Sequence, residues 1–285
     1  MLRPLSRTLL LPPQCRRRIP LKAPLLLRRK YHEVPILQHD FSNGLDGFMT
    51  PEGFELAWTL NQTSLLSKLN AMCETENSAF SGMQIKTIIL ETARSPRYAP
   101  IFNHASMAHN NHFYFNGLSP VPAVPIPPVL QKELENSFSS IDSLFKEFIY
   151  TAAAMFGPGF VWLVKAGSCD YRILTTYLAG SPYAGAHWRK QSTDMNTVAR
   201  EGTADPHLQR TWSSKNRDKT LPPGGIHVNP VLCLNTWEHA WLYDWGHGIN
   251  GDGGKVNFAT NWWTYIDWER VSSLSNLNKP EFKGA

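Results

Sequence analysis

The sequence predicts an α+β fold: an N-terminal helical hairpin followed by a three-stranded antiparallel sheet with helices. Three observations carry the prediction. Apolar residues up to about residue 116 recur at helical spacing, the segment Pro120-Val-Pro-Ala-Val-Pro-Ile-Pro-Pro128 interrupts them, and beyond about residue 159 short runs of β-branched and aromatic residues take over.

The chain opens with a segment unlike the rest. Residues 1–30 hold seven arginines and two lysines, no acid, and many leucines. Removing these nine cations from 28 leaves 19 against 23 acidic side chains, so a chain of net +5 has a body of net −4. Arg-rich, acid-free composition with Ser6 and Thr8 is that of a mitochondrial presequence, and Arg29-Lys30-Tyr31 resembles a processing site, so residues 1–31 are expected to be a presequence. A basic arm that stays attached and binds RNA or membrane shares the same composition.

Residues 32–49 read as an extended approach. Thr50-Pro51-Glu52 is a helix start, with Thr50 as N-cap, proline at the first helical position and an acid in the first turn. Trp58, Leu65, Leu69 and Met72 then follow at spacings of seven, four and three and give an apolar face. Further helices are expected over about 83–93 and 100–116, completing an N-terminal domain of residues 32–119. The proline-rich stretch cannot be regular helix and reads as a stiff linker.

The C-terminal domain, 120–285, begins with helices near 128–137 and 140–155 and a Gly157-Pro158-Gly159 stop. Phe160–Val164 and Tyr171–Tyr177 read as paired strands, with a third near Pro230–Leu234 and helices near 238–246 and 256–267. Residues 184–226 are polar and aperiodic, and are read as an insertion.

Composition narrows the function classes. With 42% hydrophobic residues and ten tryptophans the chain can bury a sizeable core. It has no apolar run of about 18 residues, so no membrane-spanning helix is expected. Cys15, Cys73, Cys169 and Cys233 are widely spaced and form no CxxC pair, which argues for inert thiols over a disulfide framework or a cysteine zinc site.

Three segments together resemble the iron/manganese superoxide dismutases. They are Phe102-Asn-His-Ala-Ser-Met-Ala-His-Asn-Asn-His-Phe-Tyr-Phe-Asn-Gly-Leu-Ser-Pro120; Phe156-Gly-Pro-Gly-Phe-Val-Trp-Leu-Val164 with Ala179-Gly-Ser-Pro182; and Leu234-Asn-Thr-Trp-Glu-His-Ala-Trp241 with Asn261-Trp-Trp263 and Ile266-Asp-Trp268. The resemblance implies that family's fold and spans residues 32–275 apart from the insertion.

That family holds its metal with three imidazoles and one carboxylate, nitrogen and oxygen donors suited to iron or manganese. Carried onto this chain, the four positions are Ala57, Asn111, Asn235 and His239, so only one ligand type survives. The resemblance also implies a gateway tyrosine at Leu65 and a water-tuning glutamine at Met107 or Ala179, both lost. The expectation is a protein with no catalytic residue and no cofactor or metal. His104, His109 and His112 lack the carboxylate or cysteine partners that a zinc site would need. A one-residue slip would put His112 at the second ligand position, at the cost of a rotation of about 100°.

The pair Glu238 and His239 is retained. In the family it lies at the dimer interface, which implies a preserved two-fold or pseudo-two-fold contact. A core in which Trp237, Glu238 and His239 satisfy one another is the other reading.

A mitochondrial, metal-free dismutase-like chain resembles the dismutase-like proteins of the fungal mitochondrial small ribosomal subunit. The resemblance implies a structural ribosomal role in the mitochondrial matrix, small-subunit proteins as partners and a dismutase-like paralogue as dimer partner. The rival is an active mitochondrial iron/manganese superoxide dismutase with an atypical metal site. Within the insertion, Trp188, Arg189, Lys190, Arg200, Arg210, Trp212, Lys215, Arg217 and Lys219 are candidate contacts to rRNA or protein. Seven cations there face Asp194, Glu201, Asp205 and Asp218, a net of +3.

Overall fold

A computed structural model describes residues 31–76, 78–167, 169–187, 228–249 and 251–276. Residues 1–30 of the expected 1–31 presequence and the nine candidate contacts between Trp188 and Lys219 lie outside the described residues.

The first long helical run starts at the predicted cap. Thr50 Oγ1 accepts from the Gly53 N–H at 3.0 Å, opening α1 (Pro51–Phe54). A π-helical turn, Glu55–Leu60, connects α1 to α2 (Asn61–Glu76). A π turn carries an extra residue and so rotates everything after it. Leu66 and Cys73 are buried with Leu69, while Leu65 and Met72 sit at the flank of the face. The spacing counted from Trp58 at 3.6 residues per turn reaches Leu69 but misses Leu66 and Cys73 for that reason.

Helices α3 (Ile85–Thr92) and α4 (Ala99–Asn116) complete the helical half. Ile88, Ile89, Ile101, Phe102, Ala105 and Ala108 close a small core with α2. α4 is buried along most of its length because it serves two cores, this one and the core over the sheet.

The proline-rich stretch runs as a strap, not as a free spacer. Ala123 N–H donates to Thr264 O at 2.7 Å, Leu118 bridges Ile266, and Val124 and Ile126 pack on the main core. α5 (Pro128–Phe138) and α6 (Ile141–Ala154) follow, the latter capped by Ser140.

The sheet has three antiparallel strands, β1 (Gly159–Ala166), β2 (Asp170–Tyr177) and β3 (Val228–Asn235), in the order β2-β1-β3. β1 is buried at every position, which is why it reads as a continuous apolar run instead of an alternation. In register, Trp162 stands between Leu174 and Cys233. A short helix α7 (Ala184–His187) follows β2 and seats Ala186, 3% exposed, against the helical core. The expected insertion, 184–226, begins with this helix, and burial of Ala186 holds that turn against the body.

The C-terminal helices are α8 (Glu238–Trp245), α9 (Gly254–Thr264) and α10 (Trp268–Asn276). One helix over 256–267 was expected. The chain instead breaks after Thr264, and Asp267 Oδ1 accepts from Arg270 N–H at 3.1 Å to start α10.

Candidate functional site

The four positions that the resemblance assigns to metal ligands converge, from the π turn (Ala57), α4 (Asn111), the end of β3 (Asn235) and α8 (His239). Ala57, Asn111 and Asn235 have no exposed surface. Asn111 Nδ2 donates to Ala57 O at 3.2 Å and to Gln62 Oε1 at 3.2 Å. Asn235 Nδ2 donates to Asn111 Oδ1 at 3.3 Å, and Asn235 Oδ1 accepts from Trp237 N–H at 2.9 Å. Gln62, also fully buried, donates from Nε2 to Ala108 O at 3.0 Å. Asn111 therefore meets both Ala57 and Asn235. His112 turns away, its Nε2 2.6 Å from Asn116 Nδ2.

His239 stands beside this network. Its Nε2 lies 3.2 Å from Asn61 Nδ2. A carboxamide nitrogen only donates, so Nε2 accepts and the ring proton sits on Nδ1. Burial holds the imidazole down to about 4, so it is neutral at physiological pH. Glu238 is exposed at the start of α8, and Trp237 packs on the His239 ring at 5.7 Å.

The donor set does not fit a redox metal. Ala57 has no side-chain donor atom, and the two asparagine oxygens already accept hydrogen bonds. The remaining imidazole nitrogen is engaged by Asn61. A carboxylate that would supply negative charge is missing from all four positions. Among the described residues no group of three or more His, Cys, Asp or Glu side chains is placed to hold a metal ion.

Leu65, Met107 and Ala179, the positions of the lost gateway and water-tuning groups, do come together. With Trp237, Tyr177 and Leu178 they line an open, mainly apolar cavity of about 490 Å³. The three histidines of α4 are singly engaged. His104 Nδ1 pairs with Pro100 O at 2.8 Å and His109 Nε2 with the Tyr183 hydroxyl at 2.9 Å. Burial, then His112 and Lys86, hold His109 down to about 4, and burial, then Arg270, do the same to His112.

Sequence reasoning missed Asn61 and Gln62. Gln62 is four residues from both Trp58 and Leu66 and so lies on the buried face. A carboxamide at a core position was the available signal, because a buried amide must find partners.

Comparison with known proteins agrees with the fold. The C-terminal domain of the iron/manganese superoxide dismutases matches residues 127–192 and 202–274, which leaves only 193–201 of the polar segment unmatched. The chloroplastic iron superoxide dismutase 2 of Oryza sativa subsp. japonica is 30% identical over 247 residues, 84% of this chain and 78% of that one. The chain belongs to the iron/manganese superoxide dismutase family. Two further relatives are not named as enzymes. Small ribosomal subunit protein mS43 of Schizosaccharomyces pombe is 28% identical over 249 residues, covering 85% of this chain and 83% of that protein. Small ribosomal subunit protein mS42 of the same organism is 26% identical over 200 residues, covering 68% and 74%.

Proposed function

We propose that this chain is a structural, metal-free component of the mitochondrial small ribosomal subunit, in the matrix, where it supports mitochondrial translation. One observation carries the reading: three of the four ligand positions of a dismutase lack a competent donor, and their polar atoms are committed to one another. A family member without ligands keeps the scaffold and loses the chemistry. Kinship to the two small-subunit proteins of Schizosaccharomyces pombe supports the ribosomal assignment. The acid-free leader supports a mitochondrial destination.

Charge favours protein neighbours over RNA for the folded body. The described residues hold 10 lysines and arginines against 18 acids, a net of 10 − 18 = −8. Contact with rRNA is then confined to the basic 188–219 stretch, with Trp188 and Trp212 available to stack. Glu238 and His239 form the pairing face toward a dismutase-like paralogue. Exposed Phe156 (98%), Tyr177 (52%) and Leu178 (58%) supply apolar surface suited to such a contact.

Metal analysis of the purified chain tests the non-enzymatic reading. Iron and manganese far below one atom per chain, with no dismutase activity, are expected. Near-stoichiometric metal with activity would establish the enzyme instead.

A further inference from the structure

We propose that the amide chain Asn235–Asn111–Gln62 is a built replacement for a metal centre, a one-directional hydrogen-bond cross-link that ties the sheet to the helical hairpin. The inference rests on the metal-free reading of this site and goes beyond it by naming what took over the metal's structural work.

The direction of the chain is fixed by backbone groups that have no choice of role. Trp237 N–H can only donate, so Asn235 turns its oxygen toward it and its Nδ2 toward Asn111. At the far end Ala108 C=O can only accept, so Gln62 presents Nε2 to it and Oε1 to Asn111. Asn111 must then accept from Asn235 and donate to Gln62, and the carbonyl of Ala57 takes the same nitrogen. Donation therefore runs one way, from Trp237 N–H through three carboxamides to Ala108 C=O. Aligned bonds of this kind polarise one another in a low dielectric.

The link joins distant parts of the chain. Asn235 and Asn111 are 124 residues apart, and Asn111 and Gln62 are 49 apart. All three side chains are fully buried, so water does not compete for them. The elements they join carry three of the family's four ligand positions, as a coordinated ion would join them.

A one-way chain cannot take a carboxylate in the middle. In Asn235→Asp one oxygen can still accept from Trp237 N–H, but the other meets Asn111 Oδ1. Turning Asn111 over only moves the clash, because its oxygen would then face Gln62 Oε1 and Ala57 O. The protonated acid alone can donate, so folded Asn235→Asp must retain its proton.

The test is chemical denaturation of the wild type and Asn235→Asp across pH 4 to 8. An aspartate ordinarily titrates near 4 in the unfolded chain. A group held protonated in the fold contributes stability below that value and loses it as pH rises. The variant is expected to match the wild type near pH 4. Its folded-to-unfolded ratio should then fall relative to wild type by about tenfold per pH unit, until the folded carboxyl ionises. Other titrations common to both proteins cancel in the difference. Gln62→Ala and Asn235→Ala, which share Asn111 as partner, should be non-additive when combined. If Asn235→Asp does not fold at neutral pH, recovery on acidification reads the same effect. A pH-independent difference, additive alanine variants, or a rise in the wild-type midpoint on adding Mn(II) would each overturn the proposal. Association with the ribosome is measured separately, so that reading can survive the failure of this one.

Discussion

His239 is the one histidine among the four expected ligand positions. Asn61 presents an amide N–H to Nε2 and so leaves the ring proton on Nδ1. The imidazole can then still offer a proton to a partner's acceptor without any ion behind it. His109, His112 and His239 are all held down to about 4, burial being the first cause in each. The unfolded chain takes up protons near 6.5, while the folded chain refuses them until about 4. Their contribution to stability is thus present above about 6.5 and lost as pH falls toward 4. Urea midpoints should drop between pH 7 and pH 5, and His109→Gln should flatten that slope; a pH-independent midpoint would contradict it. The expected ligand positions Asn111 and Asn235 lie inside the motifs that carry the resemblance, whereas Ala57 is reached by counting back from Leu69-Asn70. Gln62 and Asn61 were not legible, because a carboxamide in a helix resembles surface until its face is known.

The elements show the same division. The β-branched and aromatic runs marked the first two strands, since their composition fits a pleated buried surface, and the short apolar run Pro230–Leu234 marked the third. The Thr50–Pro51 start was legible because capping is local chemistry. The π turn was not, as nothing in Glu55–Leu60 departs from ordinary helix composition, and it moved the buried face from Leu65 and Met72 to Leu66 and Cys73. Nor did the pattern reveal Lys165, an apparent surface residue of β1 that is only 4% exposed. Its ammonium reaches Glu133 of α5 at 3.1 Å and Ser275 O of α10 at 3.2 Å. The Tyr171 hydroxyl of β2 donates to the same carboxylate at 2.7 Å. One buried ion pair thus joins four elements. Lys165→Met takes this cation away from Glu133, whose side chain is 13% exposed, and should cost about 3–5 kcal/mol. Adding Glu133→Leu should recover much of it, as a double-mutant unfolding cycle would show.

For the whole molecule, the proposed loss of chemistry is compatible with an intact scaffold because the two depend on different residues. Trp162, Trp262, Phe148, Phe258 and Tyr114 hold the core and are not among the four expected ligand positions. What remains for function is surface. An acidic body, an exposed Glu238 beside a donor-ready His239, and neighbouring exposed aromatics suit a protein partner, with a basic segment for salt-sensitive contacts. Glu238→Ala should weaken pairing with a dismutase-like partner by about 2–5 kcal/mol, the cost of removing one member of a buried charged hydrogen bond. Calorimetric titration would read it, and unchanged affinity would move the pairing face elsewhere. Sucrose-gradient sedimentation of mitochondrial lysate at moderate salt tests whether this chain is a structural part of a ribosome. The chain is expected to migrate with the small ribosomal subunit and its rRNA. A chain found only near the top of the gradient, at the size of a free dimer and with dismutase activity in the same fractions, would contradict it.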